Sequence, residues 1–275
     1  MISVLILTFN EERNIAACMA SVSWSDDIVV VDSFSTDRTV EIAASLGARV
    51  LQRRFDDFAG QRNYGIAHGA MRHDWVLHLD ADEIVTPELR DEMLAAAASA
   101  TCDAYRLPSK MMFRGRWLRY AGMYPTYQTR FGHRERLRFR QVGHGQREDL
   151  PPERLGTLRH PLLHYSFSKG IAEWIDKHNR YSTAEAERAI ASRAQGIGAP
   201  LRGLMNRDRV TRRRAAKDLT SWLPGRAPLR FFYMYVLRRG FLDGAAGYAY
   251  CRMLATYELM IDLKLSELRG ERAHS

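Results

Sequence analysis

The first third of the chain is constrained most by a repeated alternation. Four apolar runs, ISVLILT (2–8), DDIVVVDS (26–33), ARVLQRRF (48–55) and WVLHLDADE (75–83), are separated by stretches with a helical period. Runs this rich in branched residues read as strands covered on both faces, and strands that alternate with helices pair in parallel. FNEERNIAACMASV (9–22) sets Ile15, Met19 and Val22 on one side of a helix. STDRTVEIAASLG (35–47) predicts a second helix, capped by Ser35 or Thr36 and closed by Gly47. FAGQRNYGIAHGAM (58–71) predicts a third. The expected fold is α/β, a mostly parallel doubly wound sheet.

In such a sheet, ligands bind beyond the carboxyl ends of the strands. The polar clusters fall at those ends: Thr8-Phe9-Asn10-Glu11, Asp32 to Asp37, and Asp80-Ala81-Asp82-Glu83. The first turn lacks GxGxxG and GxxxxGK[ST] is absent from the sequence, so neither a dinucleotide fingerprint nor a P-loop accounts for this rim. Phosphate would need another partner, and a divalent cation suits carboxylates. If the strand stays extended through Asp80-Ala81-Asp82, the two aspartates share a side and address one ligand. Mg²⁺ or Mn²⁺ often takes one or two protein carboxylates and completes its shell from a substrate diphosphate. The triplet alone fits a solvated turn equally well.

Composition excludes several classes. The chain has 275 residues, 46% of them hydrophobic, enough for one large domain with an appendage. The opening MISVLILTFN has no basic n-region and is followed at once by charged residues, so no export signal is expected and a cytoplasmic site is. Cys18, Cys102 and Cys251 are scattered and read as reduced thiols. FFYMYVL (231–237) is stopped by Arg238 and Arg239, short of a membrane span. The net charge of +9 is concentrated where Arg202, Arg207, Arg209, Arg212, Arg213, Arg214 and Lys217 face Asp208 alone. Such a cluster meets nucleic acid, anionic lipid or only water.

ISVLILTFNEERNI, IVVVDSFSTDRTVEIA, FAGQRNYGIAHGA and WVLHLDADE, in this order and spacing, resemble family 2 glycosyltransferases with the GT-A fold over residues 1 to about 90. HPLLHYSF, HNRYST and RRGFLDGAAGY look like the subgroup containing lipopolysaccharide-core glucosyltransferases. The resemblance implies an inverting, metal-dependent transfer from a UDP-sugar to a hydroxyl of a cell-envelope glycan, lipopolysaccharide core or another lipid-linked saccharide. It assigns Thr8, Asn10 and Glu11 to the nucleotide pocket, Asp32 to the uracil N3–H, and Gln61, Arg62 and Asn63 to a motif beside the nucleotide. Asp80 would hold the ribose or a metal-bound water. Asp82 would ligate Mn²⁺ or Mg²⁺, which stabilises the leaving UDP. Inversion needs a general base beside the acceptor hydroxyl, and VGHGQREDL (142–150) offers Glu148 first, then Asp149, with His144 close by. The same stretch also reads as a solvated loop before Pro151-Pro152. His164 is a further metal candidate or a hydrogen-bonded structural residue.

These readings divide the chain into a nucleotide-sugar half (1–105), an acceptor-side half (106–168) and a helical region (169–275). Trp117, Tyr120, Tyr124 and Tyr127, interspersed with Arg114, Arg116, Arg119 and Arg130, offer either a sugar or acidic-acceptor surface or ordinary packing. In the helical region, Ile171, Trp174, Ile175, His178 and Tyr181 form a plausible buried face. Trp222, Phe231, Phe232, Tyr233, Tyr235 and Phe241 beside Arg226, Arg230, Arg238 and Arg239 suit either an interfacial segment on an anionic leaflet or a helical subdomain. The first reading implies a peripheral protein on the inner face of the cytoplasmic membrane. Two rivals carry less weight. A nucleic-acid-binding protein would need a reader motif that is missing, and a sugar-nucleotide-forming nucleotidyltransferase would need a basic glycine-rich loop where Phe9-Asn10-Glu11-Glu12 stands.

Overall fold

The computed structural model describes all residues except 143–144, 195, 207–211, 213–214, 216–218, 220–224 and 275. His144, Arg207, Asp208, Arg209, Arg213, Arg214, Lys217 and Trp222, named above, lie outside the described residues. The chain divides into two compact units, one of residues 1–117 and 124–168 and one of residues 118–123 and 169–275.

In the first unit, strands β1 (Ser3–Thr8), β2 (Ile28–Asp32), β3 (Arg49–Gln52) and β4 (Trp75–Asp80) pair in parallel in the order β3-β2-β1-β4. Helices α1 (Ile15–Ser21), α2 (Thr39–Ser45) and α3 (Phe58–His68) make the crossovers. Ile15, Met19 and Val22 are buried, as their spacing predicts. This is the expected α/β class. The second helix begins later than predicted: its N-cap residue is Arg38, with no side-chain cap, and Ser35 is engaged elsewhere. Asp37 instead accepts from the Thr39 N–H at 3.0 Å. Helix α3 is capped by Asp57, which accepts from Gly60 N–H at 2.7 Å. It lies so close to the sheet that a Cβ on Gly65 would stand 2.5 Å from a Leu5 methyl, so only glycine fits there.

Beyond β4 the sheet changes direction. Strands β5 (Glu83–Ile84), β6 (Ala104–Phe113), β8 (Thr126–His133) and β12 (Leu162–His164) continue it in the order β4-β8-β6-β12-β5. β8 runs antiparallel to both β4 and β6, whereas β12 is parallel to β6. Two short strands also pair with β6, β7 (Arg116–Trp117) antiparallel and β11 (Leu155–Thr157) parallel, and a separate hairpin joins β9 (Phe139–Val142) to β10 (Gly145–Glu148). Helix α4 (Pro87–Ser99), with Thr86 as its N-cap, leads from β5 to β6. The main core gathers Ile6, Val30, Leu77, Leu79, Leu107 and Phe131, all no more than 1% exposed. That dry sheet holds the strand ends, and therefore the polar rim, in place.

The second unit is helical, as its sequence suggests. It holds α5 (Ile171–Ala194), α6 (Gly198–Leu204), α7 (Arg226–Phe232), a π-helical turn (Tyr233–Leu237) and α8 (Gly244–His274). The buried stripe of α5 differs from the expected one. Trp174, Ser182, Ala186 and Ile190 face inward, whereas Ile175 is 48% exposed and Tyr181 37%. Small Ala186 packs with Ile190 against Leu265 of α8, a contact that side-chain hydrophobicity alone does not reveal. Asp243 accepts from the backbone N–H groups of Arg119, Tyr120 and Ala121, which binds segment 118–123 into this unit. No helix among the described residues is long and apolar enough to cross a membrane.

Candidate active site

The loops after β1 and β2 are laced together. Asn10, at φ 53°, receives a hydrogen bond on Oδ1 from Thr36 N–H and donates its own N–H to Ser35 Oγ, both at 2.8 Å. Glu11 N–H donates to Thr39 Oγ1 at 2.7 Å, and the Glu11 carboxylate accepts from Asn14 at 2.6 Å. Asp32 is wholly buried and is the knot of this lacing. Its carboxylate accepts from Thr8 Oγ1 (2.8 Å), the Ser35 N–H (2.8 Å) and the Ser35 hydroxyl. Engaged on both oxygens, Asp32 anchors the two loops in this conformation. Thr8, likewise buried, donates to Asp32 and orients it.

The Gln61-Arg62-Asn63 motif splits three ways. Gln61 is 1% exposed and bonds Ser33 Oγ, the Arg53 carbonyl and the Arg53 guanidinium, so it fastens the β2 and β3 loops to α3. Asn63 clips the backbone of Phe139 in both directions, donating to its carbonyl at 2.7 Å and accepting its N–H at 3.0 Å. Neither side chain is free for a nucleotide here; helical geometry turns adjacent residues to different sides. Arg62 is buried and reaches the end of β4, where Nη2 lies 2.6 Å from Asp80 Oδ1.

Asp80 and Asp82 part company. The strand ends at Asp80 and Ala81-Asp82 form a turn, so the alternation expected of an extended strand does not apply. Asp80 is held from both sides, by Arg62 and by Arg130 of β8. Arg130 also lies 3.0 Å from Glu83, whose burial, together with the charge of Asp80, pushes its carboxyl above the ordinary range. Asp82 instead meets His164, Nε2 to Oδ2 at 3.2 Å, because β12 pairs with β5 in a register that sets His164 opposite Glu83. Burial works against the charged imidazole, but the hydrogen bond and charge of Asp82, with Glu83 and Asp80 behind, raise His164 to about 9. Asp82 and His164 are each about a quarter exposed, at 24% and 26%. One carboxylate and one imidazole are donors that suit Mn²⁺, and among the described residues no third His, Cys, Asp or Glu completes a metal cage. The donor set therefore fits a cation that takes most of its ligands from a substrate.

Arg62, Asp80, Arg130 and Glu148 line one cavity of about 430 Å³, walled also by Thr129 and Phe139. Glu148 stands on β10 and accepts from Arg106 at 3.0 Å and Thr129 at 2.9 Å. Partial burial raises its proton affinity, but its backbone hydrogen bond, Thr129 and Arg106 outweigh this and keep its carboxyl below the usual range. Asp149 is exposed and does not line the cavity, which separates the two base candidates. Tyr127 lines the cavity, whereas Trp117 and Tyr124 pack edge to face at 5.0 Å and the backbone of Tyr120 is held by Asp243. Thus the structure brings Arg62, Asp80 and Glu148 together, joins Asp82 to His164, and leaves Thr8, Asn10, Glu11, Asp32 and Gln61 as a hydrogen-bonded frame at the parallel strand ends. Sequence reasoning missed the second grip on Asp80. Arg130 was legible only as one of several arginines among aromatics, and no local pattern ties β8 to β4.

A family model for glycosyl transferase family 2 matches residues 3–147, more than half of the chain, and the chain belongs to that family. An uncharacterized glycosyltransferase of Rickettsia typhi, RT0209, is 42% identical over 118 residues, 42% of this chain and 40% of that protein. A glycosyltransferase of Rickettsia bellii is 29% identical over 97% of this chain and 86% of its own length. The lipopolysaccharide core biosynthesis glycosyltransferase LpsC of Rhizobium meliloti is 27% identical over 70% of this chain and 72% of its own. The first of these matches spans less than half of its relative's length.

Proposed function

We propose that this enzyme transfers a sugar with inversion from a UDP-sugar to a hydroxyl of a cell-envelope glycan, of the lipopolysaccharide-core or another lipid-linked type. The observation that carries the reading is one cavity lined both by Asp80, at the end of a parallel strand, and by Glu148 of the β9–β10 hairpin. Donor and acceptor chemistry need two such carboxylates in one cavity, one beside the nucleotide-sugar and one beside the attacking hydroxyl. Glu148, ionised and held by Arg106 and Thr129, takes the acceptor proton. Asp82 and His164 are the residues that would hold Mn²⁺ or Mg²⁺, whose chemistry is to offset charge on the leaving diphosphate. Arg62 holds Asp80 in position, and Asn10 and Glu11 shape the adjoining rim. Likeness to LpsC supports the envelope acceptor.

The acceptor would be met at a membrane. Leu229, Phe232, Val236, Leu237, Phe241 and Leu242 are 41–63% exposed along one short segment that also carries Arg238 and Arg239. Exposed apolar side chains with a cationic border fit the interface of an anionic leaflet. The proposed place is the inner face of the cytoplasmic membrane, peripherally bound, with no nucleic acid among the partners.

The test of the donor reading is calorimetric binding of UDP and UDP-glucose with and without Mn²⁺, for the wild type and Asp82→Asn. Metal-dependent binding that the variant loses supports it. Binding of neither ligand under any metal condition overturns the UDP assignment, and binding unchanged in the variant removes Asp82 from the metal site.

A further inference from the structure

Four buried side-chain polar atoms without a hydrogen-bond partner, Arg62 Nε and Nη1, Arg130 Nε and Gln146 Oε1, belong to residues lining this one cavity. Those atoms are enclosed within the wall, so what a ligand meets in the cavity is set by its exposed charged groups. The charge of the wall says which kind of ligand that is. Its ionic lining consists of Arg62, Arg106, Arg130 and Arg147 against Asp80 and Glu148, leaving two positive charges in excess.

That excess is unevenly placed. Arg62 and Arg130 are 1% and 4% exposed and spend their charge on Asp80, with Arg130 also on Glu83. Arg106 gives one contact to Glu148 and remains 40% exposed, and Arg147 is exposed on the strand that carries Glu148. The accessible cationic side chains therefore belong to β6 and to β10, the strand of the proposed base, and not to the groups at the end of β4. A low-dielectric cleft lined by one sign of charge draws in ligands of the other.

We propose that the acceptor is an acidic saccharide, one bearing a carboxylate or phosphate, whose anion lies between Arg106 and Arg147 while its reacting hydroxyl faces Glu148. This rests on the transfer reading of the same cavity, and the test lets either fail alone. Binding of glucose 6-phosphate, glucuronate and uncharged glucose is measured calorimetrically, with and without saturating UDP and Mn²⁺, on the wild type, Arg147→Glu and Arg147→Lys. An acid probe should bind at least about tenfold more tightly than glucose, as a charge-assisted contact implies, and should keep its affinity when UDP is bound. Arg147→Glu should weaken that probe by about tenfold or more, with Arg147→Lys retaining most of the affinity. Preference for glucuronate or for glucose 6-phosphate tells carboxylate from phosphate. Equal binding of glucose, an unaffected Arg147→Glu, or absence of binding overturns the proposal. Displacement of the acids by UDP also overturns it, since the anion would then be the donor's diphosphate. If UDP fails to bind, the donor reading falls and the UDP-free titrations still decide this one.

Discussion

The grip on Asp80 is asymmetric, and the asymmetry has a measurable size. Arg62 has a side-chain exposure of 1% and Asp80 as its partner, while Asp80 is 29% exposed and keeps Arg130 if Arg62 is lost. Asp80→Ala therefore entombs a guanidinium beside an uncompensated gap, at a cost of about 3–5 kcal/mol for a buried charge stripped of its partner. Arg62→Met removes the buried charge itself, so its desolvation cost disappears along with the attraction, and the loss should stay within about 1 kcal/mol. The double variant should recover most of the Asp80→Ala loss, an interaction energy of about 2–4 kcal/mol between residues in contact. Urea denaturation of the four proteins near neutral pH, followed by tryptophan fluorescence, reads these differences. Equal losses for the two single variants, or a larger loss for Arg62→Met, would refute the reasoning, because the order follows from which partner is buried.

Glu148→Gln should leave UDP binding intact and slow transfer by roughly a hundredfold or more, as loss of a general base does; full transfer activity in the variant moves the base elsewhere. His164 gives a pH signature. Its folded value near 9 lies above the ordinary 6.5, so the stability it contributes is complete below about pH 6.5 and disappears as pH rises through 9. The contribution is up to about 3 kcal/mol, and in metal-free protein His164→Asn should flatten the fall in denaturation midpoint over that window; parallel pH curves for the two proteins would contradict it. Leu237, at 63% exposure, tests the membrane segment. Leu237→Glu should reduce sedimentation with vesicles rich in anionic lipid by about tenfold, since it exchanges a buried apolar group for a repelled charge; unchanged sedimentation excludes this segment from the interface.

The parallel half of the sheet was legible because its strands are apolar throughout and its crossovers carry a helical period. Ile15, Met19 and Val22 fell where spacing put them. The antiparallel half was not, since β8 and β6 are long, mixed in polarity and paired across wide sequence separation, and local pattern carries no record of partner choice. The same limit shaped the site. Asp80 and Asp82 stood out as a triplet, but their separate partners, Arg62 with Arg130 and His164, come from three distant elements. Gln61 and Asn63 looked like ligand contacts because they are polar in a motif. In this structure buried Gln61 bonds the Arg53 carbonyl and half-buried Asn63 the Phe139 backbone, partners that no local pattern records.

Strand β4 is the seam at which the sheet passes from parallel to antiparallel pairing. The single carboxylate at its tip is grasped by α3 on the chain's earlier side and by β8 on its later side. The two halves are thus not interchangeable modules. A chimera that joins residues 1–100 of this enzyme to the remainder of a relative inherits Arg62 and Asp80 but takes its second grip from a foreign strand. Such a chimera keeps Asp80 gripped from both sides only where the incoming half supplies an arginine in the place of Arg130.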